Sequence, residues 1–241
     1  MPTFYLVELF SGSSSVAKAA KTAIPNGWKL QVHSVDIHPK YNPTTTTDIL
    51  KWNYKTVLDD FLAVAGPKDV IWVHASPPCT EYSKAKTTAP RDLPLADSLV
   101  KRTLRIIKHA REQAGPTPFH WTLENPVGLL RTRPFMQRLS KYRNTTSYCR
   151  WGKPFRKNTD IWSDVPDLEL PQCRKGEYCD AKERFGHHVI NAQNGPPSGG
   201  LRYVPGSGTG ENVYPLPKKL TSFMIRRAFQ NGGRDGAAHS A

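Results

Sequence analysis

The sequence predicts an α/β fold in which a mostly parallel sheet is covered by helices on both faces. Apolar segments with the length of strands alternate with segments of helical spacing, and the strand-like segments end at polar residues or prolines. Such alternation favours parallel pairing, because the chain must cross over the sheet between two parallel strands. The length of 241 residues accommodates one such domain with a small additional region.

The first half of the chain supplies four predicted strands. FYLVELF at residues 4–10 is an apolar run, as in a buried strand, and LQVHSVDI is a second strand that ends at Asp36. DVIWVHAS is the third strand, closed by Pro77 and Pro78, and FHWTLENP is the fourth, stopped by Pro126. Two helices alternate with these strands. VAKAAKTAI follows the small-residue turn SGSSS, and LADSLVKRTLRIIKHAREQ has an amphipathic pattern.

After about residue 144 the sequence changes in composition, and its segments become shorter and more polar. YCRWGKPFRKNTDIWSDV predicts two short strands around a basic turn, and PQCRKGEYCDAKERFGHH is a polar segment with cysteines and histidines. NGPPSGGLRYVPGSGTG predicts a loop rich in glycine and proline. LPKKLTSFMIRRAF predicts a final amphipathic helix with Pro217 in its first turn.

The charge of the chain favours a polyanionic partner. A formal net charge of +14 and an isoelectric point near 9.7 attract nucleic acid above all, although a basic surface without such a partner is the alternative. The chain has no apolar stretch long enough to span a membrane, and its N-terminus lacks the features of a signal peptide. We therefore expect an intracellular protein, cytoplasmic or nuclear, that is not secreted and has no membrane partner. Its four scattered cysteines then favour chemistry or metal binding over disulfides.

The segment ELFSGSSSVAKAA has the order of strand, small-residue turn and helix. This arrangement lets backbone N–H groups approach a nucleotide-like ligand, and Asp36, at the end of the next strand, can accept hydrogen bonds from ribose hydroxyls. The turn contains one glycine, Gly12, so a simple connection between a strand and a helix is the alternative.

Two further segments place reactive side chains at strand ends. In SPPCTEYS, rigid prolines hold Cys79 where a thiol can act as a nucleophile, and the alternative is a buried structural cysteine. In WTLENP, Glu124 closes the next strand and can meet Cys79 where the strand ends converge. The alternative for Glu124 is the cap of a local turn.

Together, LFSGSSS, the DI that closes the second strand, SPPC and LENP resemble in order and spacing the motifs of the C5-cytosine DNA methyltransferase family. ENVYP at 211–215 is similar to the family's late Gly-Asn-x-Val-Pro element, so the resemblance spans roughly residues 4–229. It implies a Rossmann-like S-adenosylmethionine-dependent methyltransferase fold with a small irregular recognition region. The chain departs from the family pattern at Ser14 and Pro126, which replace a glycine and a valine, and in lacking a clear Gln-x-Arg-x-Arg element.

The resemblance implies transfer of a methyl group to carbon 5 of cytosine. Cys79 would attack carbon 6 of the base, Glu124 would protonate or hydrogen-bond ring N3, and Asn125 would orient neighbouring backbone. The nearest match to the missing arginines is WGKPFRKNTDIW, in which Arg156, or alternatively Lys157, would hold the base or stabilise the thiolate. The predicted catalytic residues are thus Cys79, Glu124, Asn125 and Arg156.

The same resemblance implies that S-adenosylmethionine is the methyl donor and binds at the first turn. Phe10 would lie against the donor, and Gly12 and Ser13 would permit its close approach. Asp36 would bind the ribose and Asp48 the adenine amino group. The predicted donor-binding residues are Phe10, Gly12, Ser13, Asp36, Ile37, Asp48, Pro77 and Asn212.

Zinc is a second predicted cofactor. Three cysteines of the second part of the chain and the histidines that follow them offer the ligands of a closed tetrahedral site. The predicted ligands are Cys149, Cys173, Cys179 and His187. Metal can stabilise a recognition region that is too short to bury much core. The alternative is a polar loop without metal, with its histidine pair facing DNA.

The predicted organisation follows from the family resemblance. We expect a catalytic and cofactor-binding domain at 1–147, a target-recognition region at 148–210, a segment completing the catalytic domain at 211–230, and a disordered tail at 231–241. We expect a monomer that binds double-stranded DNA and flips the target base out of the stack. Methylation of RNA (tRNA) cytosine, a catalytically silent nucleic-acid-binding relative, and a changed methyl donor are the alternatives.

Overall fold

The computed structural model describes residues 1–84, 86–87, 89–174, 179–186, 188 and 215–231. Over these residues the chain forms a seven-stranded sheet in the order β3-β2-β1-β4-β5-β7-β6. The strands are β1 Thr3–Leu9, β2 Lys29–Asp36, β3 Thr45–Thr46, β4 Val70–Ala75, β5 Phe119–Pro126, β6 Arg143–Ser147 and β7 Asn158–Ser163. Strands β1 to β5 pair in parallel, whereas β7 is antiparallel to both β5 and β6. The predicted Rossmann-like α/β fold, with a mostly parallel sheet, is confirmed.

Helices cover both faces of this sheet. Those within the described ranges are α1 Ser15–Ala23, α2 Tyr54–Leu62, α3 Leu93–Ala114, α4 Pro134–Gln137, α5 Asp180–Phe185 and α6 Lys218–Asn231. Alternate residues of β1 enter two different cores, so that Tyr5, Val7 and Leu9 pack with residues of α2 and α3. Phe4 and Leu6, on the opposite face, pack with residues of α1 and α6. The apolar run of β1 is continuous because both faces of the strand are buried.

Most predicted elements are confirmed, with bounds that shift by a residue or two. The four predicted strands are β1, β2, β4 and β5, and the predicted helices are α1, α3 and α6. Helix α2 was not predicted. The last helix begins at Lys218, so Pro217 precedes its first turn and accepts a hydrogen bond from the Thr221 N–H at 3.1 Å.

The prediction of two strands within YCRWGKPFRKNTDIWSDV is wrong for the first of them. That segment contains β7, whereas Tyr148–Trp151 forms a 3₁₀ helix and the partner strand β6 lies earlier, at RNTTS. β6 is a polar edge strand, so it lacks the apolar pattern that identifies buried strands. Because β7 lies between β5 and β6, the predicted domain boundary after residue 147 falls inside the sheet.

The sheet order creates a crevice at one edge. From β1 the chain proceeds outward to β2 and β3, then returns to β4 on the other side of β1 and continues to β5. In open α/β sheets, ligands bind at such a reversal, beyond the carboxyl ends of the strands. Seven of the twelve predicted catalytic and donor-binding residues lie shortly after β1 and β4 or at the end of β5: Phe10, Gly12, Ser13, Pro77, Cys79, Glu124 and Asn125. Of the helices described above, none is long and apolar enough to cross a membrane.

Candidate active site

A cleft of about 550 Å³ lies at the carboxyl ends of β1, β4 and β5. Its volume is in the range of small-molecule sites. The predicted site residues that line it are Phe10, Gly12, Ser13, Pro77, Cys79 and Glu124. The structure therefore brings together three sequence motifs that are separated by more than a hundred positions along the chain.

The turn between β1 and α1 has an unusual backbone. Phe10, Gly12 and Ser14 all have positive φ angles, of 57°, 45° and 55°. For the two residues with a side chain this is a strained conformation, and such strain clusters at ligand sites. The turn is tied to β2 by Asp36, whose buried carboxylate accepts hydrogen bonds from the N–H groups of Gly12 at 2.8 Å and His38 at 2.9 Å.

Glu8, in β1 shortly before this turn, is a residue of the cleft that the sequence analysis missed. Its side chain is 2% exposed, lines the cleft, and accepts hydrogen bonds from the N–H groups of Val16 and Ala17, both at 3.1 Å. Burial raises the pKa of the Glu8 carboxyl to about 7, although these two N–H groups and Lys18 act in the opposite direction. A carboxylate in the middle of the apolar run FYLVELF was the signal that could have identified it.

The loop that carries Cys79 is held from two directions. The side-chain amide of Asn125 donates a hydrogen bond to the Pro77 carbonyl at 2.9 Å. On the other side, Tyr82 donates its hydroxyl proton to Asp97 of α3 at 2.9 Å, and Arg133 forms an ion pair with the same carboxylate. Burial and Asp97 raise the pKa of the Tyr82 hydroxyl, so this tyrosine stays a donor.

Glu124 is almost fully buried at the end of β5 and has two polar neighbours. The Tyr148 hydroxyl donates to its Oε1 at 3.1 Å, and the Lys157 ammonium lies 3.9 Å from the same oxygen. Lys157 also lies over the Tyr148 ring, 4.7 Å from its centroid. Burial, followed by the charge of Glu124, raises the pKa of the Tyr148 hydroxyl well above its usual value.

The electrostatic environment of Cys79 reflects these neighbours. Burial raises the pKa of its thiol, the carboxylate of Glu124 raises it further, and the cation of Lys157 lowers it. The thiol, the carboxylate and the ammonium therefore form one coupled group in the cleft.

Lys157 takes the place that the sequence analysis assigned to Arg156. Lys157 lines the cleft, whereas Arg156 is exposed and does not line it. The two residues immediately precede β7, where successive side chains of an extended chain point to opposite sides. Two adjacent side chains of such a segment therefore cannot both face the site. Lys157 is the one that does, so the prediction of Arg156 is corrected to Lys157.

Four predicted donor-binding residues do not line the cleft or lie outside the described residues, and the first of them is Asp36, whose carboxylate accepts the hydrogen bonds from Gly12 and His38. Ile37 is 58% exposed and does not line the cleft. Asp48 also lies away from the lining, and its carboxylate accepts a hydrogen bond from the Leu50 N–H at 2.9 Å. Asn212 lies outside the described residues, although Pro215 and Leu216 of the same segment line the cleft.

A separate cluster contains the three cysteines predicted as metal ligands. The Sγ atoms of Cys149, Cys173 and Cys179 and a ring nitrogen of His188 all lie within 4.8 Å of one another. All three cysteines are buried and none forms a disulfide. The histidine of this cluster is His188, whereas the predicted His187 lies outside the described residues.

The comparisons with known proteins identify a relative that is similar in sequence and a solved structure that is similar in fold. No family model matches the chain. The chain is 30% identical over 198 residues to a protein of Frog virus 3 (isolate Goorha) described as a probable DNA (cytosine-5)-methyltransferase. That alignment covers 74% of this chain and 79% of the viral protein.

The solved structure is that of the Entamoeba histolytica methyltransferase EhMeth. It aligns with a TM-score of 0.48 at 13% identity, over 74% of this chain and 58% of its own, so the chain spans less than two thirds of that protein. The viral relative, at its level of identity and coverage, determines the family. The chain belongs to the DNA (cytosine-5)-methyltransferase family.

Proposed function

We propose that this protein transfers a methyl group from S-adenosylmethionine to carbon 5 of cytosine in DNA, through a covalent adduct of Cys79. The observation that carries the proposal is the meeting of Cys79, Glu124 and Lys157 in one cleft with the turn at 10–13. A thiol nucleophile needs an adjacent charge that favours the thiolate, and a base that is to be attacked needs a proton donor.

The donor fits the side of the cleft formed by the first turn. The positive φ angles of Phe10 and Gly12 and the anchoring of Gly12 by Asp36 hold this backbone close to the cleft in a fixed shape. When bound, the donor supplies an electrophilic methyl group on a sulfonium. The chain's own contribution is to bind it through this turn and to exclude water from the cleft.

The chemistry at the base uses Cys79 and Glu124 together. The thiolate forms a bond to carbon 6 while Glu124 gives a proton to ring N3, so the ring becomes an enamine whose carbon 5 can accept the methyl group. A base then removes the proton from carbon 5, and the bond between sulfur and carbon 6 breaks to restore the thiolate. Methyl transfer breaks the bond from the donor's sulfonium to the methyl group and releases the donor as a neutral thioether. In the elimination the electron pair of the carbon 5–hydrogen bond forms the double bond between carbons 5 and 6, and ring N3 returns its proton to Glu124.

The proton on Glu124 has a second effect on the thiol. The ionised carboxylate raises the pKa of Cys79, so transfer of a proton to Glu124 removes the charge that opposes thiolate formation. The cation of Lys157 lowers the pKa of the Cys79 thiol and so favours the thiolate. Protonation of Glu124 therefore favours the Cys79 thiolate and also provides the acid that protonates ring N3. Attack on a neutral ring needs both.

The substrate proposal rests on access and charge. Cytosine inside a duplex does not expose carbon 6 to a thiol in a cleft, so the base must leave the stack at a cost of about a few kcal/mol. The chain has 34 lysines and arginines against 20 acidic residues, and this excess favours contacts with the phosphate backbone.

The test is transfer of labelled methyl groups to duplex DNA and, in parallel, to tRNA. We expect label in DNA, located at carbon 5 of cytosine by bisulfite sequencing, and none from Cys79→Ala. Cys79→Ala should still bind the donor, which separates loss of chemistry from loss of folding. A duplex that carries 5-fluorocytosine should trap the adduct, because fluorine cannot be removed as a cation. Label in tRNA alone, or undiminished transfer by Cys79→Ala, would contradict the proposal.

A further inference from the structure

We propose that Cys149, Cys173, Cys179 and His188 bind one zinc ion, which fastens α5 to the edge of the sheet. Binding of the metal does not depend on the activity proposed above. The consequence for DNA recognition, that the ion positions the start of the recognition region, rests on that proposed function.

The two distances from His188 to the sulfurs are close to those of a tetrahedral site. With a Zn–S bond of about 2.3 Å and a Zn–N bond of about 2.0 Å, tetrahedral geometry separates sulfur from nitrogen by roughly 3.5 Å and two sulfurs by roughly 3.8 Å. His188 Nε2 lies 3.6 Å from the sulfur of Cys173 and 3.3 Å from that of Cys179. The four ligand atoms also lie within 4.8 Å of one another, so small shifts suffice to close around an ion.

The ligand chemistry favours zinc in a structural role. Three thiolates with one imidazole form a set that zinc prefers, and four protein ligands leave no open position for a substrate. The three sulfurs belong to side chains that are 0%, 6% and 1% exposed, so solvent has little access to them. Binding would release the thiol protons, which makes the affinity fall at acidic pH.

The packing around the cluster supplies an independent argument. The third buried cluster among the described residues consists of the three cysteines and Ala181. So little apolar surface cannot hold a polar segment in place, and small regions of this kind need a metal or a disulfide. None of the three cysteines forms a disulfide, and a metal is the other cross-link that their side chains can make.

The position of the cluster explains what the ion would join. Cys149 lies in the 3₁₀ helix that follows β6, and the N–H of Cys173 donates to Ser147 Oγ, at the end of β6, at 2.9 Å. Cys179 directly precedes α5, and His188 follows that helix. The ion would therefore connect the sheet edge to both ends of α5.

The cluster is also one residue from the active-site network. Cys149 adjoins Tyr148, whose hydroxyl donates to Glu124. Loss of the ion should therefore loosen the support of Glu124 as well as the recognition region. This coupling predicts that removal of zinc reduces methyl transfer more than it reduces donor binding.

The first experiment measures metal in the wild-type protein purified without chelator. We expect about one zinc per chain, and protection of three of the four thiols from a thiol reagent until a zinc chelator is added. The unprotected thiol should be Cys79, identified by peptide mapping. Protein without metal that also fails to take up added zinc, or that contains iron instead, would overturn the proposal.

Matched variants then identify the ligands. Cys173→Ser should lose zinc, whereas Cys79→Ser, which changes the cysteine outside the cluster, should retain it. His188→Ala should weaken zinc binding by at least about tenfold. Loss of a residue that only hydrogen-bonds to a metal ligand already lowers metal affinity by about that factor, and His188 is itself a proposed ligand. His187→Ala should bind as the wild type does, and the reverse result for the two histidines would overturn the ligand assignment.

The two proposals fail in different ways. Protein that binds one zinc but transfers no methyl group contradicts the proposed function and leaves the metal site standing. Protein that transfers methyl groups without any metal contradicts the metal site alone. If Cys173→Ser does not fold, the stoichiometry and thiol protection of the wild type still decide the question.

Discussion

Asn125 Nδ2 lies 2.9 Å from the carbonyl oxygen of Pro77 and donates a hydrogen bond to it. This buried contact joins the end of β5 to the loop that carries Cys79, so it holds the proposed nucleophile beside Glu124, the neighbour of Asn125 in sequence. Parallel strands β4 and β5 bring the two segments into register, and the hydrogen bond sets the position of the loop beyond the strands.

The first prediction concerns this contact. Asn125→Ala leaves the Pro77 carbonyl without its donor and should destabilise the protein by about 1–3 kcal/mol. We expect methyl transfer to fall by about 100-fold, the typical effect of a 1 Å misplacement, with donor binding little changed. The measurement combines single-turnover kinetics with calorimetric binding of the donor. Equal losses in donor affinity and rate would contradict a positioning role.

The second prediction concerns the reactivity of Cys79 as a function of pH. Lys157 lowers the pKa of this thiol and Glu124 raises it, so alkylation of Cys79 in Lys157→Ala should require higher pH than in the wild type. Glu124→Gln should shift the midpoint to lower pH, and Lys157→Arg should restore the wild-type midpoint. Alkylation of the Cys79 peptide by iodoacetamide, followed by mass spectrometry across a pH series, measures all three.

Arg156→Ala provides the control for this series. Arg156 is exposed and does not line the cleft, so its removal should leave the alkylation midpoint unchanged. A shift in Arg156→Ala without one in Lys157→Ala would reverse the assignment of these neighbours.

The third prediction concerns Gly128. A Cβ atom at this position would lie 2.3 Å from the carbonyl oxygen of Tyr82, a backbone atom in the turn after Cys79. Gly128→Ala must therefore displace one backbone segment from the other, at a cost of about 1–3 kcal/mol and with loss of activity. Gly66→Ala is the control, because its nearest neighbour is a side-chain oxygen at 3.9 Å. Urea unfolding compares the two, and equal stabilities would argue against this close approach.

The fourth prediction concerns the departure from the family glycine at Ser14. Ser14 has a φ of 55° and a ψ of 43°, a left-handed conformation that is costly for residues with a side chain. Ser14→Gly should stabilise the protein by about 1 kcal/mol, which corresponds to a rise in melting temperature of roughly 2–4 °C.

Ser13→Gly tests the same substitution at the adjacent position. Ser13 does not have a positive φ angle, so glycine there should lower stability by about 0.5–1 kcal/mol. If Ser14→Gly melted below the wild type, the strain argument for this turn would fail.

Much of the architecture could be predicted because buried strands and helices have recognisable patterns of apolar residues in the sequence. β1, β2, β4 and β5 are runs of apolar residues that end at polar residues or prolines, and α3 has a clear amphipathic period. β6 and β7 were harder, since a polar edge strand such as RNTTS derives its conformation from pairing with its neighbour. Helix α2 was overlooked although its buried residues, Tyr54, Leu58 and Leu62, have helical spacing.

The sequence by itself determined the α/β class, the family resemblance and the pairing of Cys79 with Glu124, because these depend on motifs at strand ends whose convergence is a property of parallel sheets. Only the tertiary structure decided which of two neighbouring residues lines the cleft, as with Lys157 rather than Arg156, and brought His188 beside the three cysteines. Adjacent side chains of an extended chain point in opposite directions, and the partner that selects one of them lies far away in sequence. The hydrogen bond from Asn125 to Pro77 could not be predicted for the same reason, because its two partners are distant in sequence and meet only once the two strands have paired.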